Sequence, residues 1–247
     1  MDRKEYLTMV GFSLLFTLNI AMSNISLDAV SVAFHQTVRS ASPAVTILLY
    51  RLIDLFGGAV SRRFTRTTYL TTFPLIFGIA LATKGDFTAT SMGLSLTLAG
   101  VILASMKQIA MGVLMTGPLQ LSSIELLLHL SPLAMVWCLA LGMVTGEVHD
   151  VHTAWRMGAL SALKTGPHLF YNMFAAVLLN LISFEANRIV GAVAMTVCGN
   201  VKQVLTIMVA AFWLNVQIGF LGTLGIGITL AGAFAYSCVE ITTVKQW

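Results

Sequence analysis

The sequence predicts an all-α fold, a polytopic transmembrane bundle of about eight spans, and three observations predict it. Of 247 residues, 57% are hydrophobic and only 10% are charged. The mean hydropathy of +0.87 lies far outside the soluble globular range. The apolar runs are close to the roughly 20 residues that carry a helix across a hydrocarbon core of about 30 Å, and they lack the polar/apolar alternation of membrane barrel strands. Residues 1–247 therefore read as one transmembrane domain. A nucleic-acid partner is not expected, because the net charge of +4 forms no basic stripe with interleaved aromatics.

The first expected span, 6–27, is too long for a signal-peptide core and has no small-residue cleavage site, so it stays as a helix or a signal anchor. Asn24, Ile25 and Ser26 fit a glycosylation sequon but lie too near the apolar run to serve as one. Asp28 marks a short turn into the second span, 30–50, which carries Arg39 and then Pro43. Proline removes a backbone hydrogen bond and kinks its helix, which a membrane tolerates where neighbours satisfy the freed carbonyl. A basic loop with Arg51, Arg62, Arg63 and Arg66 follows, broken by Gly57 and Gly58.

The third span, 67–83, contains Pro74 and ends in a tight turn at Lys84, Gly85 and Asp86. The fourth, 88–114, carries Lys107, and Gly117 with Pro118 breaks the chain before the fifth, 121–146, which holds Glu125, His129 and Pro132. Residues 147–164 form a polar connection; His149, Asp150, His152 and Arg156 have no metal-ligand spacing there and read as a solvated loop. The sixth span is 165–184, a short turn is expected at 185–188, the seventh span is 189–214 and the eighth 218–241. Cys138, Cys198 and Cys238 fall inside spans and read as small packing residues rather than a disulfide or metal set. No cofactor is expected. Most Lys and Arg sit in the amino-terminal tail, the arginine loop, the 185–188 turn and the Lys245 tail, with Lys84, Arg156 and Lys164 on the other side, so both termini are expected in the cytosol.

Lys202 is expected near the midpoint of its span, where insertion scales charge about 2.5–3.5 kcal/mol for a cation. From that depth a lysine stem does not comfortably reach either headgroup layer, so lining a cavity outweighs snorkelling. Arg39 is expected near the centre of the second span, and neither span carries an acidic residue to pair with its cation. The counter-ion is then expected to be an anionic small-molecule substrate. Arginine offers a planar fork for two oxygens and lysine a movable point charge, which together suit a phosphorylated one. Lys107 is either a third such cation or an anchor at the end of its helix. Glu125 and His129, at i and i+4, could form a proton-coupling pair, although a hydrogen bond at the membrane boundary is the simpler reading. No nucleophile motif or phosphate-cradling loop is present, so an enzyme is not expected.

The run from Asn24 to Pro43 resembles the fourth-helix signature of the triose-phosphate and nucleotide-sugar transporter branch of the drug/metabolite transporter superfamily. That pattern is N-x-S-L, then V-S-F-x-Q, then a basic residue four before a proline. Asn24, Ser26 and Leu27 hold the first element, Val32 to Gln36 approximate the second, and Arg39 and Pro43 hold the last. Gly199 to Leu205 similarly resembles the ninth-helix segment, in which a glycine precedes a lysine that binds the substrate phosphate; the resemblance gives that role to Lys202. Ser23 aligns with a position that hydrogen-bonds the phosphate. Gln203 stands where the plastid translocators carry an arginine, and Leu179 precedes Asn180 where they place a substrate-contacting tyrosine before an asparagine.

The family has ten helices in two inverted halves of five, and the resemblance has this chain begin at the third, truncated at the N-terminus. It implies a membrane antiporter of phosphorylated sugars or nucleotide sugars in the Golgi or endoplasmic reticulum. The anion would be held in a central cavity by Lys202, Arg39, Ser23, Asn180, Gln203 and Lys107. Membrane lipid surrounds such a protein, and a homodimer is among the arrangements open to it. The alternative is a truncated, non-transporting relative that binds partners or is inactive.

Overall fold

The computed structural model describes residues 3–56, 66–85, 90–116, 119–157, 162–213 and 219–244. Every secondary-structure element among them is an α-helix: α1 (Arg3–Ala29), α2 (Val32–Arg39), α3 (Ser42–Leu55), α4 (Arg66–Gly85), α5 (Ser91–Thr116), α6 (Ser123–Thr145), α7 (Glu147–Arg156), α8 (Ala162–Trp213) and α9 (Phe220–Val244). Among the described residues, five segments are long and apolar enough to cross a membrane: Glu5–Ala29, Ser91–Met115, Ser123–Thr145, Thr165–Ala186 and Phe220–Val239. These coincide with the first, fourth, fifth, sixth and eighth expected spans. The chain is an all-α integral membrane protein.

Four local expectations are corrected. The second span is two helices rather than one kinked helix, because α2 ends at Arg39 and the chain turns through Ser40 and Ala41. Pro43, in the first turn of α3, has no N–H to give to the carbonyl of Arg39. The Ser42 hydroxyl donates to that carbonyl instead, at 2.7 Å. With 8 and 14 residues, at about 1.5 Å of rise each, neither piece crosses a bilayer by itself.

The expected turn at 185–188 is helical and lies inside α8, which runs for 52 residues. Charge can end an apolar run without ending a helix: Glu185, Ala186 and Arg188 are strong helix formers, and no glycine or proline interrupts them. The polar connection after residue 146 folds as α7, started by Gly146 in the left-handed region at φ 85°. Glu147 and Asp150 lie in its first turn and Arg156 in its last, the arrangement the helix dipole favours. Cys138 and Cys238 lie on exposed faces of α6 and α9 rather than in packing layers; lipid is as apolar as a protein core, so hydropathy does not tell the two faces apart.

The chain divides into two compact units. One comprises Met1–Thr17 and Leu114–Ile189, and here α6 is followed directly by α7. The other comprises Leu18–Val113 and Val190–Trp247 and has the denser core. There α4 and α9 meet through small residues: a β-carbon on Gly78 would strike Thr229 and the Gly225 carbonyl, and one on Gly225 would strike the backbone of Ala82. Such close backbone approach is how membrane helices gain packing energy without a hydrophobic driving force. Around this pair, Ile47, Leu75, Ala233 and Tyr236 form one buried cluster, and Ala33, Ala82, Ile207 and Ile226 another. The arginine loop between Arg51 and Arg66, the breaks at 117–118 and 214–218, Asp86 and the side chains of Lys84, Lys164 and Cys198 lie outside the described residues.

Candidate functional site

The site is organised by α2, a short helix fixed on several sides. Ser31 caps its first turn by accepting the Phe34 N–H at 3.2 Å. Phe34 and Val38, one turn apart, are buried with Val30, Ala41, Ile79 and Val101, while Ala33 packs against Ala82, Ile207 and Ile226. Arg39 is therefore presented at the C-terminal end of a held helix, where the dipole favours a cation. Its Nη1 donates to the Ser23 hydroxyl on α1 at 2.9 Å, and both side chains are half-buried.

Next to Arg39, Ser40 is fully buried and ties α2 to α8: its hydroxyl donates to Gln203 Oε1 at 2.6 Å. The Gln36 carbonyl, at 3.1 Å, competes for the same proton, since a hydroxyl has only one to give. Lys107, half-buried on α5, lies within electrostatic reach of both Arg39 and Lys202. Lys202 precedes Gln203 on α8 and its side chain is exposed. Its carbonyl accepts the Thr206 hydroxyl at 2.8 Å.

The structure thus gathers Ser23, Arg39, Lys107, Lys202 and Gln203 in one unit, on α1, α2, α5 and α8. Asn180 is not among them. It belongs to the other unit, where its Nδ2 donates to the Ala176 carbonyl of its own helix at 2.9 Å. Glu125 and His129 also lie in that unit. Glu125 forms a capping box, its Oε2 accepting the Ser122 N–H at 2.9 Å while the Ser122 hydroxyl accepts the Glu125 N–H at 3.3 Å. His129 Nδ1 donates to the Glu125 backbone carbonyl at 2.8 Å. The i, i+4 spacing thus yields a hydrogen bond from the His129 ring to the Glu125 backbone.

Two residues of the cluster escaped the sequence reading. Ser40 carries no signal beyond being the neighbour of Arg39. His35 does: it stands four residues before Arg39, the spacing that places two side chains on one helix face. It is 1% exposed, feels the Arg39 charge, and its Nδ1 has no hydrogen-bond partner among the described residues.

Long apolar helices that carry arginine and lysine in one unit define a polytopic membrane protein with positive charge on its helices. The chain belongs to the Triose-phosphate Transporter family, whose model matches residues 1–237. Among its relatives is a protein of Arabidopsis thaliana named as a probable sugar phosphate/phosphate translocator, 25% identical over 96% of this chain and 74% of the relative. A UDP-galactose transporter of the same plant is 26% identical over 95% of this chain and 67% of its own length. A GDP-mannose transporter, also of A. thaliana, is 27% identical over 95% of this chain and 66% of its own length. The chain therefore spans about two thirds to three quarters of these proteins.

Proposed function

We propose that the protein is an antiporter of anionic sugars, phosphorylated sugars or nucleotide sugars, in the Golgi or endoplasmic-reticulum membrane, with both termini in the cytosol and the chain acting as one transport domain. The observation that carries this reading is that Arg39, bonded to Ser23, lies in one unit with Lys107, Lys202 and the Ser40–Gln203 pair. Like charges near one another in a low-dielectric setting repel, and an anion that enters between them removes the repulsion. The chemistry of the three cations suits phosphate: the Arg39 fork binds two oxygens, Ser23 steadies the fork, and the two ammonium groups supply charge without demanding a fixed geometry. Gln203 has its amide oxygen engaged by Ser40, which leaves the NH2 end as donor where a plastid translocator has an arginine. A neutral donor there fits a sugar hydroxyl or a phosphate with less charge to neutralise. The relatives' names cover both substrate classes.

The test is counterflow uptake in vesicles holding the purified full chain, preloaded in turn with sugar phosphates, inorganic phosphate, UDP-sugars and GDP-sugars. The expected result is saturable exchange for members of one class and none for neutral sugars. Absence of exchange across the whole panel by folded protein, with no thermal stabilisation by any of these anions, would overturn the reading in favour of a non-transporting relative.

A further inference from the structure

We propose that α7 (Glu147–Arg156) is an interfacial helix, docked on the lipid headgroup layer through Val148, Val151 and Trp155. The proposal stands on where the helix begins and on what it presents. The spanning segment Ser123–Thr145 ends one residue before Gly146, and Gly146, at φ 85°, both ends α6 and starts α7. The chain therefore leaves the apolar layer and becomes α7 with a single left-handed residue between, which sets the new helix at the membrane boundary rather than out in solvent.

None of the residues of α7 is buried. At 3.6 residues per turn, Val148, Val151 and Trp155 fall within an arc of about 60°, while His149, Thr153 and Arg156 lie on the opposite side. The three apolar side chains are 45%, 58% and 57% exposed. A stripe of this kind opposite a polar face is the pattern of helices lying in the interface plane, and tryptophan is the side chain that favours that depth. Val148 also touches the helix it follows, since a β-carbon on Gly142 would meet its Cγ2 at 3.3 Å. That contact orients the stripe relative to α6.

Lipid is favoured over a protein partner by this continuity with a spanning helix. The charges of α7, Glu147 and Asp150 against Arg156, are mixed, so zwitterionic lipid is sufficient and anionic lipid is not required.

The test uses the full chain in phosphatidylcholine vesicles, with Cys138, Cys198 and Cys238 changed to serine and nitroxide labels placed singly at 148, 149, 151, 153, 155 and 156. Power saturation is expected to show labels at 151 and 155 relaxed by oxygen in preference to a water-soluble nickel chelate, and labels at 149, 153 and 156 the reverse. Equal nickel access all round would overturn the proposal in favour of a solvated helix. Immobilised labels at 151 and 155, shielded from both agents, would overturn it in favour of a protein-covered face. A second readout needs no cysteine variant: the fluorescence lost in Trp155→Phe should be quenched in the wild type by lipid brominated near the headgroup more than by acrylamide, and the opposite order would contradict the docking.

Discussion

The α4–α9 pair and the polar cluster at the end of α2 belong to the same unit, yet opposite kinds of contact hold them. The pair is dry and close: Gly78, Gly225 and Gly232 have space for hydrogen only. The cluster is polar and less closed, joined by Arg39 to Ser23 and by Ser40 to Gln203, with Lys202 exposed beside it. One region is closed by packing, and the other is where we propose that an anion binds. The difference separates what folds the unit from what it is proposed to bind, and each side can be broken without the other.

Breaking the packed side should have the largest effect. Gly225→Leu drives a side chain into the backbone of Ala82, where overpacking costs about 1–3 kcal/mol even when the structure can relax; against backbone it cannot. The expected outcome is little folded protein after detergent extraction, measured by monodisperse yield. Normal yield would mean that α4 and α9 can separate at no cost.

Breaking the polar side should spare the fold. Arg39→Gln keeps a donor toward Ser23 but removes the fork and the charge, and a charge-assisted contact is worth about 1.5–3 kcal/mol, roughly 10- to 150-fold in affinity. Yield is expected to stay near wild type while the half-saturating anion concentration rises by that factor. Loss of yield together with uptake would make Arg39 a structural residue.

The smallest change sharpens the border between the two regions at His35, whose ring is as buried as the packed pair but lies one turn from Arg39. Its Nδ1 has no partner among the described residues, and a buried nitrogen left so carries a desolvation penalty of about 1–3 kcal/mol. His35→Leu is therefore expected to raise the melting temperature in detergent and leave anion exchange intact. A lower melting temperature would show that Nδ1 has a partner in the folded protein.

Spanning segments were legible because a bilayer filters for length and hydropathy, and α1, α5, α6 and α9 meet both. Arg39 and Lys202 were legible because a charge inside an apolar run is conspicuous, and Ser23 because the run from Asn24 to Pro43 resembles a known helix. Orientation about each helix was not legible. In lipid both faces are apolar, so nothing in composition showed that Ala33 would be buried and Cys138 exposed. The α7 helix was hidden for another reason: its mean polarity resembles a loop, and only the spacing of Val148, Val151 and Trp155 marks it as amphipathic. Ser40 had no signal at all, since a serine beside a proline-broken turn is ordinary until its partner on α8 is known.

If an anion is the counter-ion of the clustered cations, Lys202→Gln should weaken its binding. The substitution keeps length and polarity and removes one charge at an exposed position, so the fold has little to lose. Exchange of the preferred anion by wild type and variant should be compared at matched amounts of folded protein in vesicles. A loss of about 10- to 150-fold in apparent affinity is expected, with unchanged melting temperature; equal exchange by the two proteins would mean that Lys202 is not the substrate's counter-ion.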